Sequence, residues 1–391
     1  MNPTPKNHFK LSEWSGAVGD LGTTLPLAFA LIVYNGFSPE RIFFLWGIAY
    51  ILSGWYYKVP VAIQPLKAMA VIAIATGYSA SALSTTAVFY GILLILLSTT
   101  GVIRWLGNWF TPAIVRGIQL GVGLILAQKA IQLTVENGFF LKSSLTSSLM
   151  LNAIIFATLI ILLWWVQFRR RFPIILLIIP TGILIAILFN VHLDLSTLHG
   201  SLTEPQTPQW NFFLNSLIFL MIPQLPLTLG NAVFAACDAC HAFWKEQAQR
   251  VTTTKLGFSI GLINIFIGLL GGFPICHGAG GIGAHAQFGG KTGGTTIILG
   301  TFFVLVALSP FSTFLFFIPV PVLGAMLLLD SYRLMTLLNK LELKYDLLVA
   351  ILVGSVSFFT RNLTIALLLG FGLQLGQYLY GKWYLQTSSE L

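Results

Sequence analysis

Long apolar stretches recur along the whole chain, and they restrict its possible folds more than any other feature. The 391 residues are 56% hydrophobic and only 8% charged, whereas a soluble chain carries about 25% charged residues. Unbroken apolar runs such as 154–166 and 174–188 are typical of membrane helices, since a transmembrane β-barrel would show alternating strands of about ten residues. The sequence therefore predicts an all-α polytopic membrane protein.

The net charge of +9 indicates membrane orientation and not a nucleic-acid partner. Basic residues cluster between apolar runs, and most clusters fall on one side of the membrane if the N-terminus is cytoplasmic. The basic residues on the other side are Arg41, Lys129, Lys142 and Arg361. This bias predicts a multi-pass protein of the cell membrane with cytoplasmic N- and C-termini. The polar stretch 1–10 does not resemble a cleaved signal peptide.

Apolar runs and their polar breaks predict about 14 segments. They lie near residues 15–34, 38–57, 66–78, 85–103, 112–133, 148–167, 172–190, 212–236, 255–271, 277–288, 294–309, 311–329, 344–359 and 362–381. The segments 66–78 and 277–288 are too short to span, because a crossing needs about 20 residues. Each follows a proline in an irregular polar stretch, which predicts two half-helices that begin inside the membrane.

The polar loop 192–211 divides the chain into two halves, residues 1–191 and 212–391, with seven predicted segments each. An odd number of segments gives the halves opposite orientations, as in an inverted repeat. The first segment of each half carries a similar motif of glycine, threonine and proline, in 19–27 and in 223–231. Short, interrupted segments at matching positions of two halves indicate the binding site of a transporter.

Both predicted half-helices open with polar or small residues. Gln64 and Lys67 open the first, and a lysine deep in the membrane normally faces a cavity and a partner because its insertion costs about 2.5–3.5 kcal/mol. His277 opens the second, and the small residues after it let a ligand approach backbone N–H groups.

The electrostatics of this arrangement predict the sign of the substrate. Each half-helix N-terminus supplies roughly half a positive charge, and Lys67 brings the predicted total near +2. Such a site suits a tetrahedral dianion and fits a cation poorly. The candidate side-chain donors are Gln64, Gln224, Thr228, Asn231 and His277.

Asp20 is the only carboxylate that the sequence places well inside a predicted segment. An acid in the membrane is functional by default, and three interpretations stay open. Asp20 could pair with Lys67, couple protons to transport, or bond to Thr23 and Thr24 in helix packing.

The motif Cys237-x-x-Cys240-His241 matches a c-type haem attachment signature, which would make the chain a membrane redox protein. However, the basic residues that follow place this segment in the cytoplasm, whereas haem is attached on the oxidising face. Small residues at a helix end are the simpler interpretation. A membrane enzyme would show clustered His, Asp or Glu on facing helices, and these residues are scattered. We therefore expect no catalytic activity, no cofactor and no bound metal.

Three stretches resemble motifs of the molybdate transporter family, which is related to the sulfate permeases. They are 19–23, 60–68 and 274–294, with Leu66 where that family usually has methionine. The resemblance implies seven plus seven inverted segments arranged as a core domain and a gate domain. It also implies a substrate held between the third and tenth segments, an elevator-like movement of core against gate, and a homodimer through the gate.

The expected function is therefore secondary active transport of molybdate, by symport. Tungstate, sulfate, another small anion or a nucleobase such as uracil are alternative substrates, and a channel is a third possibility. No carboxylate lies between Pro274 and Gln287, which favours an oxyanion over a neutral base. The expected substrate-binding residues are Asp20, Thr23, Gln64, Lys67, Gln224, Thr228, Asn231, His277, Gly278, Ala279, Gly280 and Gly281. Membrane lipid is the other expected partner.

Overall fold

The computed structural model describes residues 6–136, 138–140, 149–169, 184–185, 187–188, 209–309 and 317–389. In chain order its helices are α1 (Leu11–Val18), α2 (Leu21–Asn35), α3 (Pro39–Tyr57), α4 (Lys67–Thr76), α5 (Ala80–Thr99), α6 (Val102–Trp109), α7 (Pro112–Glu136), α8 (Leu149–Arg169), α9 (Trp210–Ala248), α10 (Thr253–Leu269), α11 (Ala279–Gln287), α12 (Gly294–Leu308), α13 (Val320–Met335), α14 (Lys344–Thr360) and α15 (Leu363–Ser389). The prediction of an all-α polytopic protein is confirmed.

Length and composition allow several described helices to cross a membrane. Four qualify outright: α5, α7, α9, and α13 together with the short 3₁₀ turn that follows it. The helices α1 and α2 qualify as a pair bent by 43°, so the predicted segment 15–34 is two helices joined at Gly19 and Asp20. Most of the predicted segment 172–190 and of the loop 192–211, and the start of segment 311–329, lie outside the described residues.

Two strands of two residues each interrupt the helices, and the sequence did not predict them. Strand β1 (Gln64–Pro65) precedes α4, and strand β2 (Ile275–Cys276) precedes α11. They pair antiparallel, with Gln64 opposite Cys276 and Pro65 opposite Ile275. This pairing joins the two halves of the chain at the positions where the short helices begin.

The long helix α9 contains two π-helical stretches, Ser216–Met221 and Thr228–Phe234. They flank a short α-helical stretch that contains Pro223 and Pro226. Proline removes a backbone N–H and crowds the preceding turn, and a π turn is a common way to accommodate such a break. The irregular backbone therefore flanks the part of α9 that carries Gln224.

The helices pack in two groups. In the first group α3 packs along α12, α5 along α10, and α1 against α12. In the second group α7 packs against α13 and α14, α8 against α13, and α15 against α14. Two close crossings in the first group require glycine: a Cβ on Gly47 would lie 2.7 Å from the Gly300 oxygen, and one on Gly91 would lie 2.5 Å from the Gly261 oxygen.

The paired strands are fixed to the first helix group by side chains from α3 and α10. The indole Nε1 of Trp46 donates to the Phe273 oxygen at 3.0 Å. The Asn264 amide bonds both backbone groups of Ile275, donating to its oxygen at 2.9 Å and accepting from its N–H at 2.7 Å. These bonds satisfy backbone groups that the short ladder leaves unpaired.

Candidate functional site

The strand pair places the N-termini of α4 and α11 at the two ends of one short ladder. The Leu66 N–H extends the ladder by donating to the Pro274 oxygen at 3.1 Å, and α4 begins at the next residue. On the other strand, Gly278 is the N-cap of α11. The positive ends of two helix dipoles therefore flank the same spot.

One side of the first turn of α11 opens on free space at Gly280. Its first intrahelical bond runs from the Ile282 N–H to the Gly278 oxygen at 3.2 Å. None of the described residues accepts a hydrogen bond from the backbone N–H groups of Ala279, Gly280 or Gly281. Gly280 is exposed, and a Cβ on it would meet no atom within 4 Å. Free N–H groups at a helix N-terminus are a ready anion-binding arrangement.

Gln224 caps the first turn of α4. Its Oε1 accepts from the Met69 N–H at 3.0 Å, and its Nε2 donates to Thr228 Oγ1 at 3.1 Å. The Tyr90 hydroxyl donates to the same Thr228 oxygen at 2.6 Å. Asn231 lies half-buried on the second π stretch of α9. The structure thus brings Gln224 and Thr228 together against α4.

Lys67 pairs with a residue that the sequence analysis missed. Its Nζ lies 3.3 Å from both carboxylate oxygens of Asp330 on α13. Thr23 Oγ1 donates to the same carboxylate at 3.4 Å. Of the three interpretations of Asp20, pairing with Lys67 is not the contact that the structure shows, because Lys67 pairs with Asp330. The predicted total charge near +2 is therefore too high, since Asp330 balances the Lys67 charge.

Asp20 lies buried between α2, α3 and α11. Its carboxylate accepts from the Tyr50 hydroxyl at 2.6 Å and from Gln64 Nε2 at 2.5 Å. His285 Nε2 lies 4.0 Å away, while the other ring nitrogen of His285 is 2.9 Å from the Gly16 oxygen. Thr23 and Thr24 bond Asp20 through its backbone oxygen, not through its side chain.

Gln64 connects Asp20 to the start of α11. Its Nε2 is bonded to Asp20, and its Oε1 lies so close to Gly278 that a Cβ there would approach it to 1.9 Å. A Cβ on Gly281 would in turn lie 2.7 Å from an Asp20 oxygen. Glycine at these two positions lets the amide and the carboxylate pack directly on the first turn of α11.

His277 supports the strand crossing and does not face the open space as a free donor. It is fully buried, and its ring nitrogens lie 3.0 Å from the Ala62 oxygen and 2.8 Å from Ser259 Oγ. Because both nitrogens are engaged within the protein, His277 positions the peptide before α11. The expectation that His277 contacts the substrate stays a prediction.

Two buried carboxylates correct the view that Asp20 is the only acid inside the helical part. Asp330 lies within α13, and its side chain is 4% exposed. Glu13 lies within α1, where it accepts from the backbone N–H groups of Lys291 and Thr292 at 3.1 and 3.2 Å. Glu13 thereby fixes α1 to the loop before α12.

The Cys237-x-x-Cys240-His241 motif packs against a neighbouring loop. Cys237 Sγ and His241 Nε2 both lie near the Val251 oxygen, at 3.7 and 2.9 Å. Over the described ranges, no three His, Cys, Asp or Glu side chains come together in a way that could hold a metal ion. These contacts indicate that the motif packs α9 against this loop.

The chain is similar to known proteins in both sequence and fold. The chain is 26% identical to Molybdate transporter 1 of Arabidopsis thaliana, over 89% of this chain and 84% of the relative. It is 26% identical to Molybdate transporter 2 of the same plant, over 95% and 87%. The transmembrane domain of the cyanobacterial bicarbonate transporter BicA superposes with a TM-score of 0.68 at 18% identity, covering 93% of this chain and 98% of that domain. The protein is therefore an integral membrane protein with this transporter fold.

A family match covers the parts of the chain that build the strand crossing. The family described as "Molybdate transporter of MFS superfamily" matches residues 12–126 and 216–334. The first range contains Asp20, Gln64 and Lys67, and the second contains Gln224 and the start of α11. More than half of the sequence is matched, and the chain belongs to the molybdate transporter family.

Proposed function

We propose that this protein is a secondary active transporter of molybdate, bound between the N-termini of α4 and α11. One observation carries the proposal: the paired strands set two helix N-termini at one spot, and the amides of Ala279, Gly280 and Gly281 have no acceptor among the described residues. The relatives named molybdate transporters support this choice of substrate.

The chemistry at this spot favours an oxyanion. Two helix N-termini supply roughly half a positive charge each, and free N–H groups donate hydrogen bonds but accept none. A tetrahedral dianion offers four acceptor oxygens and the complementary charge. The nearby carboxylates of Asp20 and Asp330 already contact Gln64 and Lys67. Sulfate and tungstate share this geometry with molybdate.

We further propose that the first helix group is the core domain and the second is the gate domain of an elevator-type carrier. The glycine crossings support an inverted repeat, because α3 contacts α12 through Gly47 and Gly300 as α5 contacts α10 through Gly91 and Gly261. This proposal has further parts. The two inverted repeats are the halves 1–191 and 212–391, and Asp20 couples transport to protons by symport. The protein forms a homodimer in the cell membrane, with cytoplasmic termini.

Uptake into proteoliposomes tests the substrate class. Purified protein should give saturable molybdate uptake that tungstate inhibits most strongly, sulfate less, and uracil not at all. Inhibition by uracil without any effect of the oxyanions would overturn the proposal in favour of nucleobase transport. Uptake that rises linearly with concentration, without saturation, would indicate a channel instead.

Replacing Lys67 tests the site. We expect Lys67→Ala to weaken molybdate binding at least about tenfold, because a charged hydrogen bond typically contributes 1.5–3 kcal/mol. Lys291→Ala is the matched control, since Lys291 is exposed in the loop before α12. Titration calorimetry on purified protein measures both variants. Equal affinity of Lys67→Ala and the wild type would remove Lys67 from the site.

A further inference from the structure

Asp330 contacts two side chains that belong to the candidate site. Its carboxylate lies 3.3 Å from Lys67 Nζ through both oxygens and 3.4 Å from Thr23 Oγ1. These contacts are longer than the 2.7–2.9 Å typical of strong charge-assisted hydrogen bonds. Asp330 is nearly buried, whereas the Lys67 side chain is 16% exposed. The carboxylate is thus nearly buried and held only by loose contacts.

The ion pair also joins the two helix groups. Lys67 is the first residue of α4, which follows directly from the strand pair that α3 and α10 hold in the first group. Asp330 is on α13, which packs against α7 and α8 in the second group. A movement of one group against the other must therefore stretch or break this contact.

We propose that Asp330 is an internal competitor of the substrate for the Lys67 ammonium, so that binding of the anion is coupled to release of the contact between the two helix groups. This inference rests on the proposed function. The Asp330 carboxylate and the oxyanion both place negative oxygens on Lys67, so binding of the anion displaces Asp330 from the ammonium. The displaced carboxylate is then repelled by the bound anion, which loosens the contact between α4 and α13.

Competition with a built-in carboxylate lowers the affinity of the site for every anion by the same cost of displacing Asp330. The displaced carboxylate also repels a bound dianion about twice as strongly as a bound monoanion of the same shape. Removal of the Asp330 charge should therefore favour the dianion most, and a neutral base has no charge with which to displace Asp330.

Asp330→Asn tests the competition directly, because asparagine keeps the shape of aspartate and removes its charge. We expect the variant to bind molybdate about tenfold more tightly than the wild type, within the usual range for coupled sites. Perrhenate, a tetrahedral monoanion, should gain less affinity than molybdate, because the lost carboxylate repels a monoanion about half as strongly as a dianion. Asp238→Asn is the matched control, because Asp238 is exposed on α9. Titration calorimetry with each anion gives the dissociation constants.

Two further variants separate charge from folding. Asp330→Glu keeps the competing charge and should bind molybdate with about the wild-type affinity. The double variant Lys67→Ala with Asp330→Asn leaves no unpaired charge, and it should remain folded and bind molybdate weakly. Unchanged or weaker molybdate affinity in a folded Asp330→Asn protein, or the same gain in affinity in Asp330→Glu, would overturn the inference. Failure of the wild type itself to bind molybdate would overturn the proposed function, which separates the two outcomes.

Discussion

Gly278 is the residue at which the strand crossing, Gln64 and helix α11 meet. Its backbone has φ −69° and ψ 123°, an extended conformation that most residues can adopt. The requirement for glycine is therefore one of space, since a Cβ would lie 1.9 Å from Gln64 Oε1. The Gln64 amide holds the Asp20 carboxylate, so a change at Gly278 reaches the buried acid through one side chain.

We predict that Gly278→Ala weakens molybdate binding by about tenfold or more. The added methyl group pushes the Gln64 amide away from Asp20, and a buried hydrogen bond to a charged group contributes roughly 1.5–3 kcal/mol. Gly283→Ala, in the same helix, is the control because a Cβ there would meet no atom within 4 Å. Equal molybdate affinities of the two variants, measured by calorimetry, would show that the position of the Gln64 amide does not require glycine at position 278.

Some residues of the site could be predicted from the sequence, and one could not. Lys67, Gln64 and the small residues after His277 could be identified because polar and glycine-rich stretches stand out in an apolar chain. Asp330 was missed because the predicted segment 311–329 ended one residue before it. The helix begins at Val320, after Pro319 and beside Pro321, and prolines in the first turn are a start signal that would have placed Asp330 inside the helix.

At the scale of elements, the strand crossing depends on support from neighbouring helices. Two strands of two residues supply few ladder bonds, so a pair of this length is not stable alone. Asn264 on α10 is fully buried and bonds both the N–H and the oxygen of Ile275. Through these two bonds α10 fixes the peptide from which α11 starts.

We predict that Asn264→Leu, which has a similar volume, lowers the free energy of unfolding by about 1–3 kcal/mol, because it leaves buried backbone groups of Ile275 unpaired. It should also weaken molybdate binding, since the start of α11 loses its anchor. The exposed Asn215 on α9 provides the control Asn215→Leu. Chemical unfolding and calorimetry measure the two effects, and a variant as stable and as tightly binding as Asn215→Leu would contradict this role.

The short helices could be predicted from sequence, but their strand pairing could not. Helices α4 and α11 lie within two residues of the predicted bounds 66–78 and 277–288, because proline and glycine mark their starts locally. The pairing of Gln64 with Cys276 joins residues distant in the sequence, and no local pattern specifies it. The π stretches of α9 likewise depend on its packing around Pro223 and Pro226 and not on the apolar periodicity.

At the scale of the whole molecule, the candidate site lies where the two helix groups meet. The strand pair is fixed in the first group by Trp46 and Asn264, and Asp330 reaches it from the second group. Composition and the unbroken apolar runs were enough to predict a helical membrane protein, because 8% charged residues leave no soluble alternative and the runs exclude alternating strands. The division into two packing groups could not be predicted from the sequence, since most apolar helices have no polar face that would indicate which helix they pack against.

The most direct test of the central claim is to locate a bound tungstate in an experimentally determined structure, because tungsten scatters strongly and tungstate shares the shape and charge of molybdate. We predict that the tungsten density lies between the first turns of α4 and α11. Its oxygens should be within hydrogen-bonding distance of the Ala279, Gly280 and Gly281 amides, and Asp330 should be displaced from Lys67. Density elsewhere in the protein, or helices α4 and α11 whose N-termini face away from the bound ion, would contradict the account.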